Sequence, residues 1–199
     1  MRFTKVPVAL FDKIQVNAGF VTRRVNFETG VIGAPISGST GGFTFNPNPT
    51  YSDFGEDIDN CPKNTKELKR IVGYDPALSG NAVSIDSEFG QLLMGAADVS
   101  AVSNAAQPTT RIRPRMNLDA TNDFPELFYV GDYSANNDDN EGGGIIIHLK
   151  NCFNQTGFQL TTTDRGKGQF AYEFHAHTSI AAQDEVPYDL YIMDPVPTP

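Results

Sequence analysis

Residues 168–193 read "GQFAYEFHAHTSIAAQDEVPYDLYIM". The first part alternates. Phe170, Tyr172, Phe174 and Ala176 share one parity, and Glu173, His175 and His177 share the other. Successive side chains of a strand point to opposite faces, so this period of two marks a half-buried strand. Phe170, Tyr172 and Phe174 are therefore expected in the core. Glu173, His175 and His177 are expected on a polar face. The acidic turn "AQDEVP" then leads into a last strand, "YDLYIM".

The same alternation recurs along the chain. "VPVAL" sets Val6, Val8 and Leu10 on one face, and "QLTTT" alternates likewise. "GIIIHLKN" places Ile145, Ile147 and Leu149 opposite Ile146, His148 and Lys150. Turn formers separate these runs, in "NNDDNEGGG", "NQTG" and "TDRGKGQ". Strands joined in this way are antiparallel, and several in series suggest a sandwich or barrel. One helix is expected at "DSEFGQLLMGAAD", where Phe89, Leu92, Leu93 and Ala96 form one apolar stripe. Asp86 suits its N-cap and Glu88 its positive end. Gly90 and Gly95 weaken it by about 1 kcal/mol each, so packing must hold it. "NTKELKRIV" reads two ways, as a helix start capped by Asn64 and Glu67 or as a strand. The expected fold is a single domain over residues 1–199. It is mainly β, an antiparallel sandwich with one flanking α-helix and long loops or arms.

Three stretches look irregular. Residues 34–64 mix turn formers with Phe43, Phe45, Tyr51 and Phe54, and long structureless loops are usually functional. They are read as an arm working between subunits. Its acidic run, Glu56, Asp57 and Asp59, would face Lys63, Lys66 or Arg70 of a neighbour. Residues 103–126 form a second loose stretch. Residues 194–199, "DPVPTP", make an irregular tail because proline removes backbone donors.

The chain has 199 residues, with 15 Lys and Arg against 24 Asp and Glu, a formal net charge of −9. Such a chain is a poor wrapper of nucleic acid. It suits a passage that DNA must slide through without sticking. Cys61 and Cys152 make no disulfide framework and are read as buried free thiols in a reducing cytosol. The apolar start is too short for a signal peptide, and no run reaches membrane-spanning length. Assembly in the cytoplasm is expected.

Named catalytic motifs are absent from the sequence. "GGGIII" precedes a strand rather than a helix, so it reads as a hairpin turn and not a phosphate cradle. His175 and His177 form half of a metal site at most, and a polar strand face is the stronger reading. "DYSANNDDNEGG" misses the spacing of a calcium loop and reads as a solvated acidic hairpin. Arg111, Arg113 and Arg115 form the basic cluster "RIRPR", read as an intersubunit salt-bridge strip. The sequon at Asn154 reads as chance. No metal and no cofactor is expected.

Three stretches carry a resemblance: "VPVALFDKIQVNAGFV", "NPTYSDFGEDIDNCPKNTKEL" and "GKGQFAYEFHAHTSIAAQDEVPYDLYIM". Together they resemble the major tail protein family of long-tailed bacteriophages, the tail tube proteins. The likeness runs from Val6 to Met193, except for Val99 to Pro125. It implies two packed antiparallel sheets with a flanking helix. It also implies hexameric rings stacked into a hollow tube that conducts DNA, a virion location, and other tail proteins (tape measure, tail terminator, baseplate) as partners. On that reading Glu173, His175 and His177 face the lumen or a neighbouring layer. Rivals are a tail terminator or the inner tube of a contractile tail. A carbohydrate-binding sandwich is another, although the chain has no Trp for a stacking platform. A metal hydrolase resting on His175 and His177 is the weakest.

Overall fold

The computed structural model describes residues 10, 13–15, 17–103, 106–133 and 143–194. Val6 and Val8, most of the acidic hairpin and residues 195–199 lie outside them. In chain order the strands begin with β1 (Phe20–Thr22), β2 (Val25–Asn26), β3 (Val31–Ile32), β4 (Ser39–Asn46) and β5 (Pro49–Asp53). Then come β6 (Lys69–Tyr74), β7 (Ala77–Ala82), helix α1 (Ser87–Met94), β8 (Ala97–Ala101) and β9 (Thr110–Pro114). The chain continues through β10 (Leu127–Asp132), β11 (Gly144–Leu149), β12 (Cys152–Asn154), β13 (Phe170–Ala176) and β14 (Tyr188–Met193).

Two four-stranded antiparallel sheets face each other. One has the order β1-β10-β11-β14 and the other β12-β13-β7-β4. The core lies between them. Val21, Leu127, Ile147 and Leu149 come from the first sheet, and Leu78, Tyr172, Phe174 and Ala176 from the second. The apolar row of β13 is thus inward, with Tyr172 and Phe174 buried and Phe170 half-buried. Gly80 pairs with Tyr172, and its missing side chain matters. A Cβ there would sit 2.8 Å from the Tyr172 hydroxyl and 3.0 Å from the Phe43 ring.

The helix forms as its sequence asks. The Asp86 side chain accepts a hydrogen bond from the Phe89 N–H at 2.7 Å, closing the N-terminus. Eight residues are too few for a stable free helix, so Phe89 and Leu93, both buried, hold it to the core with half-buried Leu92 beside them. The outer face of the first sheet is also covered. Phe128, Val130 and Ile146 form a second cluster with Phe20 and Val25. Phe27, between β2 and β3, stacks on Tyr191 with centroids 4.4 Å apart.

Several expectations are corrected. Residues 34–64 are not one irregular loop. β4 pairs with β7 in the main sheet, and β5 pairs with β6 beyond it. The two pairings run on as one long hairpin, bent where Asn48 takes a φ of 40°. Phe43 and Phe45 pack on the core, 5.4 Å from the rings of Tyr129 and Tyr188 respectively. They are core residues of this chain rather than arm residues reserved for a neighbour. "RIRPR" is strand β9 paired with β8, so the second loose stretch is partly regular. "QLTTT" is not a strand; only a Thr161–Gln169 bridge forms there. Of the ambiguous "NTKELKRIV", the latter part is strand β6.

Candidate assembly surfaces

The polar row of β13 faces away from the core, beside Ser79 and Asn81 of β7 and Thr44 of β4. His175 Nδ1 lies 2.7 Å from Asp75 Oδ1, and its Nε2 lies 3.4 Å from Glu173 Oε1. That is an acid on each side and no nucleophile. His177 looks elsewhere. Its Nδ1 is 3.0 Å from the Asn151 carbonyl, and its ring meets Phe124 edge-on at 5.3 Å. His148 belongs to the other sheet, stacked on Phe128 and 3.2 Å from Glu126. Among the described residues no three His, Cys, Asp or Glu side chains converge on a metal position. Asn154 is buried and donates to the Leu93 and Gly157 carbonyls, so the acceptor side chain of its sequon is turned inward.

The cysteines differ from expectation in one respect. Both are free, and Cys152 is buried, where burial pushes its thiol well above the ordinary range. Cys61 is only half-buried, in the turn between β5 and β6.

Of the four sheet edges, β1 and β12 are three residues each, and the side chain of Asn154 in β12 is tied to α1. The other two edges are β14 and β4. β14 pairs only with β11 among the described residues. Its core-side residues Leu190 and Ile192, opposite Ile147 and Ile145, are 55% and 62% exposed. Among the described residues no strand pairs with the outer side of β14, and an unpaired edge is a template for another strand. Sequence reading named the strand but not its position at an edge.

The hairpin arm is the second surface. Its outer half carries exposed Tyr51, Phe54, Ile58, Ile71 and Val72. Lys69 lies over the Tyr51 ring at 5.4 Å. The loop is built, not slack. The Asp53 carboxylate accepts from the N–H groups of Gly55 at 2.9 Å and Asn64 at 3.0 Å.

The arginine strip splits. Arg115 is an internal residue, corrected from an intersubunit one. It pairs with Asp123, whose side chain is buried, and its Nε lies 2.9 Å from Asp98 Oδ1. Arg111 and Arg113 are exposed on the solvent side of β9.

A cleft of about 460 Å³ lies at the start of α1, between Arg23, Arg24, Glu88 and Glu126. Arg23 pairs with Glu88, Glu126 meets His148, and Asp86 is engaged in the helix cap. No family model and no curated protein matches the chain. The surfaces must therefore be read from their own chemistry. What they offer is strand edges, exposed apolar residues and separated charge, all suited to association. Among the described residues no helix is long and apolar enough to cross a membrane.

Proposed function

We propose that this chain is the major tail tube subunit of a long-tailed bacteriophage. It is a structural virion protein without catalysis. Copies made in the host cytoplasm assemble as stacked hexameric rings, and the tube conducts DNA during ejection without binding it specifically. Tape measure, tail terminator and baseplate proteins are its further partners. The resemblance of the three sequence stretches is what suggests this reading.

The observation that carries the reading is β14, an edge that pairs only with β11 among the described residues, with Leu190 and Ile192 exposed on its core side. A single sandwich gains nothing from an apolar edge of that kind and risks aggregation by keeping it. A ring that pairs every edge removes the risk, as barrel closure does. Two more features support it. The outward face of β13, β7 and β4 is polar, with Thr44, Ser79, Glu173 and His175, and suits a wetted lumen wall. The formal charge of −9 disfavours lasting contacts with phosphate. Negative-stain electron microscopy of the purified chain at rising concentration is the test. Rings or hollow tubes are expected. A chain that stays monomeric at high concentration, across salt and pH, would sink the proposal.

A further inference from the structure

We propose that the tip of the hairpin arm binds the arginine face of the β8–β9 hairpin on a second copy of the chain. This rests on the reading that the chain assembles with itself. Two surfaces of opposite chemistry are unsatisfied within one copy. At the tip, Glu56, Asp57 and Asp59 are exposed. Among the described residues they form no ion pair. Between and beside them stand Phe54, 63% exposed, and Ile58, 52% exposed. Backbone bonds from Phe54 N–H to the Leu68 carbonyl and from Ile58 N–H to the Gly55 carbonyl fix the turn. A loop already ordered loses little freedom on docking.

The receiving surface is equally well defined. Arg111 and Arg113 lie on one face of β9, opposite Ser100 and Asp98 of β8. The acids that could answer them are engaged, because Asp98 and Asp123 both meet Arg115. Ile112, between them, points the other way, toward Gly90 of α1. Just past the strand, Met116 is fully exposed and Leu118 is exposed. One surface is acidic with apolar residues, and the other is basic with apolar residues. Residues two apart on a strand are about 6.6 Å apart, so each guanidinium can take its own carboxylate. A second copy supplies the complementary surface in equal number. The contact is heterologous: each copy gives its tip to one neighbour and its strip to another.

Two charge-reversed variants test this. One carries Glu56→Lys, Asp57→Lys and Asp59→Lys; the other carries Arg111→Glu and Arg113→Glu. Alone, each sets like charges together at every contact. Assembly measured by sedimentation and electron microscopy should fall at least about tenfold. Mixed in equal amounts, the lysine tip meets the glutamate strip and the native tip meets the native strip. Alternating assemblies should then return, which also proves both variants folded. Either variant assembling alone as wild type does, or a mixture of two folded variants that stays unassembled, overturns the contact. Should a reversed chain unfold, neutral variants decide the matter (Glu56→Gln, Asp57→Asn, Asp59→Asn against Arg111→Gln, Arg113→Gln). Each should lose the salt dependence of wild-type assembly between about 0.05 and 1 M, and a retained dependence overturns the contact. If wild type assembles while the reversed variants do so equally well, only this contact fails. If wild type never assembles, the tube reading fails and the contact with it.

Discussion

Placing two inward charges on β14 should uncouple assembly from folding. Leu190 and Ile192 keep 55% and 62% of their surface in water in the single chain. Full burial of such a side chain contributes about 1.5–3 kcal/mol. The part still exposed can therefore contribute about 1–2 kcal/mol per residue when a neighbour covers it, or about 2–4 kcal/mol for the pair. Leu190→Lys with Ile192→Lys removes that gain and adds the cost of covering two ammonium groups. At about 1.4 kcal/mol per tenfold, association should weaken by at least about 30- to 1,000-fold. The subunit itself should lose only about 1–2 kcal/mol, because the lysine stems still cover Ile145 and Ile147 from the edge. Light scattering against concentration gives the threshold for assembly, and a thermal melt of the dilute chain gives its stability. A double variant that assembles at the wild-type threshold would refute the role given to this edge.

Two further outcomes test the core. Phe174, 1% exposed, should cost about 3–5 kcal/mol when changed to Ala, and a wild-type melting temperature would show that the inward face of β13 is misassigned. Tyr172 is buried with its hydroxyl unpartnered among the described residues, and burial pushes its ionisation upward. The unfolded chain releases that proton near pH 10, so above about pH 10 the folded state holds more protons and stability falls by up to about 1.4 kcal/mol per pH unit from this group. Tyr172→Phe should melt at or slightly above wild type at pH 7 and show a shallower alkaline decline in pH-dependent melts. A loss above about 1 kcal/mol at pH 7 would mean the hydroxyl has a partner after all.

Local signals made the central strands legible. β13 buries one parity, with Tyr172, Phe174 and Ala176 inward, and its alternation announces it; β11, buried on both faces, is announced by its apolar run. The helix was equally legible, because its cap and apolar stripe are written within a dozen residues. β4 was not. Gly41 and Gly42, at φ of 78° and 79°, insert a bulge that breaks the period. Prolines at 47 and 49 then mimic a loop, and its partner β7 lies far along the chain. "QLTTT" shows the converse, since alternation without a neighbour makes no strand. In β9 the charges of "RIRPR" drew attention from an alternation that was present. The assembly surfaces were least legible of all. Whether a strand is an edge depends on sheet order, and whether an arginine is free depends on acids brought near by folding, as Asp123 is to Arg115.

Sheet order also limits how an edge such as β14 can be used. The four outer strands are not equivalent. β1 and β12 are short, and short edges recruit strands poorly. β4 is long but bulged at two successive glycines, which twists its edge away from a flat partner. β14 has six residues, no recorded register shift and apolar residues on its core side. Two β14 strands joined to each other would give a two-fold dimer, and growth would stop there. A closed ring needs β14 to meet a different edge, so that each copy offers one surface and accepts another. The arm tip and the arginine face obey the same logic, since neither surface is its own complement. On the proposed reading β14 meets an unlike edge and the tip meets the strip, and such unlike pairs repeat from copy to copy where a two-fold contact would stop at a dimer.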